Sequence, residues 1–168
     1  MITAGEARWK GRNRGVARRP SLWLASRPMP TLFTRILRGE LPARFVWRDE
    51  RCAAFLSINP LRPGHVLVVP RDEVDHWLDL PAGLRDHLFG VAQTIGRALQ
   101  EEWKPEKVGL VIVGLEVRHA HLHVVPIWGI DDLDFAQAEK NPAPAALDEA
   151  AGRVRAALRR LGFAQASD

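Results

Sequence analysis

Three histidines, His119, His121 and His123, alternate with apolar residues in one short segment of the chain. In a β-strand successive side chains point to opposite faces of the sheet, so the three imidazoles are predicted to lie on one face. The intervening residues Ala120 and Leu122 are predicted to be buried on the other face. The sequence therefore predicts a strand that carries a row of imidazole groups.

Such a row has three interpretations from the residues alone. It could be a polar, half-exposed strand face on which histidine is merely tolerated. It could be a metal site, because neutral imidazole is the commonest metal ligand and zinc takes three or four ligands. It could perform phosphoryl chemistry, in which one imidazole attacks phosphorus while its neighbours donate hydrogen bonds to the phosphate oxygens. With a free pKa of about 6.5, histidine offers both protonation states near neutral pH.

The segments around the row resemble the histidine-triad (HIT) family, whose signature is His-x-His-x-His followed by two apolar residues. Residues 33–43 read Phe-Thr-Arg-Ile-Leu-Arg-Gly-Glu-Leu-Pro-Ala and are similar to the N-terminal stretch of that family. Residues 60–70 read Pro-Leu-Arg-Pro-Gly-His-Val-Leu-Val-Val-Pro and are similar to its second characteristic segment. The three segments occur in the family's order across about residues 30 to 128, which favours the phosphoryl interpretation.

The resemblance implies a role for four histidines. His121 matches the nucleophile, which attacks the α-phosphorus and forms a nucleotidyl-histidine intermediate that water then hydrolyses. His123 matches the position that contacts phosphate oxygens and helps the leaving group. His119 would orient His121 or polarise the phosphate, and His65 matches a supporting histidine on the neighbouring strand. No cofactor is implied.

The residues that would hold the substrate depart from the family pattern. Nucleotide-binding members usually place an aspartate on the ribose hydroxyls, and here that position is Ser57, followed by Ile58. The usual Gly-Gln-Ser-Val before the triad is replaced by a segment in which Leu115 precedes Glu116. We therefore predict that Ser57, Ile58 and Glu116 bind the substrate, with a looser hold on ribose than a carboxylate gives.

A second departure concerns structural zinc. Many members of the family hold this ion with a Cys-x-x-Cys motif near the N-terminus and a later histidine. The corresponding positions here are Thr31, Thr34 and Glu73. Because all three ligands are replaced together, the resemblance predicts no structural zinc in this chain.

Three functions remain in competition. The first is a hydrolase that acts through a phosphohistidine intermediate on a small nucleotide phosphoanhydride, phosphoester or phosphoramidate, without a required metal. The second is a non-catalytic protein that keeps the fold and binds a nucleotide. The third is a metal-binding protein that uses the histidine row directly.

Composition and charge limit the partners. The chain has 168 residues, which is enough for one domain, and contains no apolar run long enough to span a membrane. Its single cysteine, Cys52, lies in an apolar run and fits an inert thiol in a reducing, cytoplasmic compartment. Residues 1–28 hold seven basic residues and one acidic residue, whereas the other 140 hold 17 basic and 19 acidic residues. Nucleic-acid binding is therefore predicted only through this tail.

We predict three regions in the chain. Residues 1–29 form an arginine-rich extension, residues 30–130 form the HIT-like domain, and residues 131–168 form a linker with a C-terminal helix. For the extension, three interpretations remain open: a start codon assigned too early, a disordered arm, or an arm that binds RNA or directs targeting.

The pattern of elements predicts an α+β domain with an antiparallel sheet and one long helix packed on it. The HIT resemblance implies five strands and a homodimer, and the apolar stripe of the long helix is consistent with a second copy. The predicted helices are Thr31–Arg38, Pro81–Trp103 and Leu147–Leu161. The predicted strands are Phe45–Asp49, Cys52–Leu56, His65–Val69, Lys107–Val113 and Val117–Ile127.

Overall fold

A computed structural model describes residues 29–166 of the chain. Five strands form one antiparallel sheet in the order β1-β2-β3-β5-β4, which confirms the predicted α+β class. Of the predicted extension at residues 1–29, residues 1–28 lie outside the described residues. The elements are α1 (Leu32–Leu37), β1 (Phe45–Arg48), β2 (Cys52–Leu56), β3 (Val66–Pro70), α2 (Ala82–Trp103), β4 (Lys107–Val111), β5 (Leu122–Ile127) and α3 (Pro144–Arg160).

Helix α2 covers one face of the sheet with the apolar stripe that its sequence predicts. Leu88, Ile95 and Leu99 of this helix are fully buried, and burial of each such side chain stabilises the fold by about 1.5–3 kcal/mol. Helix α3 joins the same core through side chains that include Val154 and Leu158. The C-terminal helix is thus packed on the body, with α2 and β1 as its neighbours.

The other face of the sheet is covered in part by the short helix α1. Phe33 of this helix lies in a second core with Phe45, Phe55 and Leu67, and its ring centroid is 5.7 Å from that of Phe55. Thr31 caps the helix by accepting a hydrogen bond from the backbone nitrogen of Thr34. This cap fixes where the chain enters the face on which the histidines lie.

The strand that was predicted to carry the whole histidine row is shorter than expected. Strand β5 begins at Leu122 instead of Val117, and β4 ends at Val111 instead of Val113. Residues 115–119 form bends, because the backbone nitrogen of His119 turns back to the Val117 carbonyl oxygen. The alternation of faces nevertheless continues through the bend, since Ala120 is buried in the same core as Leu122.

Candidate functional site

The structure brings His65, His121 and His123 together and places His119 next to them. The ring centroids of His65 and His123 are 5.2 Å apart, and those of His121 and His123 are 4.7 Å apart. All four residues are buried, with exposed fractions between 0 and 8%. His121 is therefore buried, because aromatic side chains from outside the motif cover the row.

The position of His65 depends on the glycine that precedes it. Gly64 has a φ of +89°, which side chains of L-residues rarely adopt. A Cβ atom at this position would lie 3.0 Å from the ring of Trp103 on α2. The loop can therefore turn tightly against α2 and place His65 beside β5 only with glycine here.

A chain of hydrogen bonds fixes the tautomers of His65 and His123. The backbone nitrogen of Leu61 donates to Nδ1 of His65 over 3.1 Å, so His65 carries its proton on Nε2. That nitrogen lies 3.0 Å from Nδ1 of His123 and donates to it. A neutral His123 then carries its own proton on Nε2, which no hydrogen bond between the described residues uses.

A second chain fixes the tautomers of His119 and His121. Nδ1 of His121 lies 2.7 Å from the backbone oxygen of His119, and a carbonyl oxygen can only accept. The proton of a neutral His121 is therefore on Nδ1, and the lone pair is on Nε2. His119 donates from Nε2 to the Pro70 carbonyl oxygen over 2.9 Å, and its Nδ1 accepts from the Thr31 hydroxyl at 2.9 Å.

Burial keeps the four imidazoles neutral near pH 7. Desolvation, together with the neighbouring His123 and His121, lowers the pKa of His65 to about 3. Desolvation and His121 lower the pKa of His123 to about 4. Burial also lowers the pKa of His121, although its bond to the His119 carbonyl and the charge of Glu116 oppose this shift. Burial likewise lowers the pKa of His119, so His121 presents an unprotonated Nε2 at neutral pH.

Two aromatic residues that the sequence analysis did not single out cover the histidine row. The ring of Phe33 packs edge-on against His121 with centroids 4.8 Å apart. The ring of Phe135 packs edge-on against His123 with centroids 5.1 Å apart. Phe33 lies on the apolar side of the short helix α1, and nothing in the sequence marks it as a site residue. Phe135 lies in a segment without hydrophobic periodicity.

The segment that carries Phe135 is anchored by one buried carboxylate. Asp132 accepts hydrogen bonds from the backbone nitrogens of Trp128 and Gly129 and from the guanidinium group of Arg62. These bonds lower the pKa of the carboxyl group, so Asp132 stays ionised. Because Arg62 belongs to the loop that precedes His65, this contact joins the chain after β5 to the loop before β3.

The predicted substrate-binding residues are less constrained than the histidines. The hydroxyl of Ser57 donates to the carbonyl oxygen of Asn59 and accepts from its backbone nitrogen, so it is engaged within its own turn. Ile58 is 63% exposed, and Leu115 is 87% exposed. Glu116 is also exposed, yet its charge acts on His121. Ser57 lies near the row through its backbone nitrogen, which donates to the His65 carbonyl oxygen.

The geometry of the histidine row does not favour a metal site. Both ring nitrogens of His119 are engaged by Thr31 and Pro70, so this residue offers no free ligand atom. Within residues 29–166, the three ligand side chains whose donor atoms lie within 4.8 Å of one another are Asp49, Cys52 and His87, away from the row.

The Asp49 cluster is satisfied by hydrogen bonds. Asp49 accepts hydrogen bonds from Trp47 and His87, and burial followed by the charge of Asp49 raises the pKa of the Cys52 thiol. A protonated, buried thiol is a poor metal ligand. The cluster therefore anchors the turn between β1 and β2.

The positions at which family members hold structural zinc also lie together here. Thr31, Thr34 and Glu73 come within hydrogen-bond distance of one another, and Thr31 contacts His119. Zinc in proteins is bound by cysteine sulfur, histidine nitrogen and carboxylate oxygen. Two neutral hydroxyls that already bond to their neighbours do not supply such a set, so these residues do not fit the ion.

Comparison with known proteins gives consistent matches. The family model of the HIT domain matches residues 38–128, more than half of the chain. The chain is 31% identical over 108 residues to the protein hit of Bacillus subtilis, a stretch that covers 60% of this chain and 73% of that protein.

Solved structures show the same similarity. A zinc-bound histidine triad family protein from Mycobacterium smegmatis is 31% identical, with a TM-score of 0.68 over 77% of this chain and 94% of that one. A HIT family hydrolase from Legionella pneumophila is 27% identical, with a TM-score of 0.51 over 65% of this chain and all of that one.

Proposed function

The chain belongs to the HIT domain family, and on that premise we propose that it hydrolyses small nucleotide phosphoanhydrides, phosphoesters or phosphoramidates through a nucleotidyl-histidine intermediate. The observation that carries the proposal is the hydrogen bond from Nδ1 of His121 to the His119 carbonyl oxygen. This bond leaves the lone pair of His121 on Nε2, where an attacking atom is needed. The lowered pKa of His121 keeps that lone pair free near neutral pH.

In the first step, Nε2 of His121 attacks the α-phosphorus and forms a phosphorus–nitrogen bond. The bond to the leaving group breaks with its electron pair on that group. It departs from an anhydride as a phosphate anion, from a phosphoester as an alkoxide that takes a proton from water, or from a phosphoramidate protonated on nitrogen as a neutral amine. The Nε2 proton of His123 donates to a phosphoryl oxygen and stabilises the charge that develops there.

In the second step, water attacks phosphorus and the bond to Nε2 of His121 breaks, with its electron pair returning to the nitrogen. The products are a nucleoside monophosphate and the starting imidazole, and the proton of the water passes to solvent. The phosphorylated imidazole is a cation, so its Nδ1–H bond to the His119 carbonyl oxygen strengthens while the intermediate exists. Two easier displacements thereby replace one difficult displacement.

Turnover of adenosine 5′-phosphoramidate in the presence of a metal chelator tests this proposal. We expect the wild-type chain to release adenosine monophosphate with chelator present and His121→Ala to lose several orders of magnitude in rate. His76→Ala, which removes an exposed histidine outside the row, is the matched control and should keep the rate. Binding of the nucleotide without turnover would instead identify a non-catalytic binding protein, and loss of turnover with chelator would identify a metal-dependent one.

We also propose that the chain forms a homodimer through β4 and α2. Strand β4 lies at the end of the sheet, so its outer edge has no strand partner among the described residues. Leu110 of β4 and Phe89 of α2 are exposed beside a groove of about 910 Å³ that contains none of the histidines of the row. An unpaired edge next to exposed apolar side chains is a typical site for pairing with a second chain.

Light scattering at micromolar concentration tests the dimer. The expected mass is twice the 18.8 kDa of one chain, and Leu110→Lys should shift it towards one chain by placing a charge in the interface. A single-chain mass for the wild type would contradict the proposal.

A further inference from the structure

The side chains of Thr31, Thr34 and Glu73 form a polar cluster next to the histidine row. The carboxylate of Glu73 accepts from the backbone nitrogen of Thr31 over 3.1 Å and from the hydroxyl of Thr34. The Thr31 hydroxyl oxygen lies 3.1 Å from that of Thr34 and 2.9 Å from Nδ1 of His119. Residues from segments that are far apart in the sequence thus form one hydrogen-bonded chain, which ends at a ring nitrogen of the row.

The hydrogen atoms in this cluster can be assigned by counting donors. The Thr34 hydroxyl has one proton, which goes to the ionised carboxylate of Glu73. Nε2 of His119 must donate to the Pro70 carbonyl oxygen, so Nδ1 of the neutral ring can only accept. The single proton of the Thr31 hydroxyl therefore goes to Nδ1 of His119, since imidazole nitrogen is both the nearer acceptor and the stronger one.

The same atoms also hold the ring if His119 takes up a second proton. Nδ1 would then donate to the Thr31 oxygen, Thr31 to the Thr34 oxygen, and Thr34 to the Glu73 carboxylate. In both protonation states His119 stays bonded at Nδ1 to Thr31 and at Nε2 to Pro70. The cluster is thus suited to hold the orientation of the ring rather than one charge state.

We propose that Thr31, Thr34 and Glu73 are positioning residues, which hold the ring of His119 at Nδ1 and, through its backbone carbonyl, the orientation of His121. The inference rests on the proposed function for its catalytic consequence. The hydrogen-bonded cluster lies at the positions that match the family's structural zinc site, and it ties the start of α1 to the row through Thr31 and His119. The 2.7 Å bond from His121 to the His119 carbonyl oxygen carries the effect to the nucleophile.

The central test compares Thr31→Val with Thr31→Ser in the full chain. Valine has the shape of threonine but leaves Nδ1 of His119 without a donor, whereas serine keeps the hydroxyl and the helix cap. We expect Thr31→Val to lower kcat by about ten- to a hundredfold, as the loss of an outer hydrogen-bond partner does for histidines at metal sites, with a smaller change in KM. Thr31→Ser should keep most of the wild-type rate.

The nitrogen-15 shifts of the ring nitrogens provide a readout that a merely structural role would not move. In wild type, His119 should show a protonated Nε2 and an unprotonated Nδ1, and His121 the reverse. Thr31→Val removes the donor to Nδ1, so the Nδ1 signal of His119 should move to that of an unbonded, unprotonated ring nitrogen, and the His121 signals should change with it. Thr94→Val, which removes a hydroxyl bonded only within α2, is the matched control and should leave all of these signals unchanged.

Glu73→Gln gives a second variant that keeps every hydroxyl and the cap of α1. A neutral amide oxygen accepts less strongly than a carboxylate, so kcat should fall by about fivefold, against no change for Glu50→Gln at another exposed position. Wild-type kcat and wild-type nitrogen shifts in both Thr31→Val and Glu73→Gln would overturn the inference. If the wild-type chain has no turnover at all, the proposed function fails, and the nitrogen shifts still decide whether the cluster positions His119.

Discussion

The histidine row and the segments around it differ in how far the fold determines their conformation. Every ring nitrogen of His65 and His119 has an assigned hydrogen-bond partner, and Nδ1 of both His121 and His123 is held as well. By contrast, the side chains of Ile58, Leu115 and Glu116 are exposed.

This difference separates the groups proposed to react from the groups proposed to recognise the substrate. Two ring nitrogens of the row, Nε2 of His121 and Nε2 of His123, have no hydrogen-bond partner among residues 29–166. They are one acceptor and one donor, which is the pair that the proposed attack and charge stabilisation require. The exposed segments impose no comparable geometry on a substrate. On the proposed function, the fold sets the geometry of the reacting groups, whereas substrate choice would depend on exposed side chains that can change at little cost to stability.

The largest loss of activity among these tests is expected when His123, the proposed donor to the phosphoryl oxygen, is removed. His123→Ala should lower kcat by about a hundred- to a thousandfold, the usual cost of losing one donor to a developing oxyanion. His123→Gln should recover part of this loss, because its amide can accept from His65 and still donate to phosphate. Steady-state kinetics on the same phosphoramidate measures both, and a fully active His123→Ala variant would remove this residue from the mechanism.

Acid should lower the free energy of unfolding through the buried histidines of the row. Unfolded histidines bind protons near a pKa of 6.5, whereas burial keeps His65 and His123 neutral down to about pH 3 and 4. Between these values the unfolded chain binds more protons, so the free energy of unfolding falls as the pH falls. Each histidine contributes up to about 1.4 kcal/mol per pH unit. Urea unfolding between pH 7 and 4.5 measures the slope, which His65→Gln should reduce and which a pH-independent stability would contradict.

The glycine that places His65 gives a test through the backbone. Gly64→Ala should destabilise the fold by about 1–2 kcal/mol because of its positive φ, and the contact with Trp103 adds to this cost. Gly152→Ala is the matched control, since Gly152 lies in α3 with open space at its Cβ position. That variant should instead stabilise the chain by about 0.5–1 kcal/mol. Equal effects in the two variants, measured by chemical denaturation, would show that the Gly64 conformation is unimportant.

The smallest effect on kinetics is expected at Ser57, near the exposed side chain of Ile58. Because the Ser57 hydroxyl is engaged by Asn59, the chain should prefer ribonucleotide over deoxyribonucleotide substrates by about tenfold or less, or about 1.4 kcal/mol. Ser57→Asp should raise this preference, since a charged acceptor binds a hydroxyl more strongly than a neutral one. The ratio of kcat/KM for matched substrates measures it. A wild-type preference near a thousandfold would mean that another group holds the sugar.

The fold was largely predictable from periodicity and motif. The stripe of α2, the strands β1 to β3 and the alternation around Leu122 all follow from local patterns, and local patterns suffice where one face of an element is buried. The start of β5 was not predictable, because the bend before it depends on a turn at Val117 and on contact between Ala120 and Val74. The helix α3 was predicted from its apolar face, but the sequence does not tell which elements that face packs against, which the structure shows to be α2 and β1.

The four histidines of the candidate site were predictable from the motif, whereas their arrangement and the aromatic rings that cover them were not. The motif indicates His65, His119, His121 and His123, but their tautomers depend on partners such as the Leu61 backbone nitrogen and the Thr31 hydroxyl. Such contacts join positions that are distant in sequence or lie on the backbone, so no residue pattern encodes them.

Identification of a covalent intermediate on His121 tests the central claim most directly. Rapid acid-free quenching during turnover of adenosine 5′-phosphoramidate, followed by peptide mass spectrometry, should find the mass of one nucleotidyl group on the peptide that contains His121. The adduct should be absent from His121→Ala and present in His76→Ala. Turnover at the wild-type rate by His121→Ala, or an adduct on a different residue, would contradict the account.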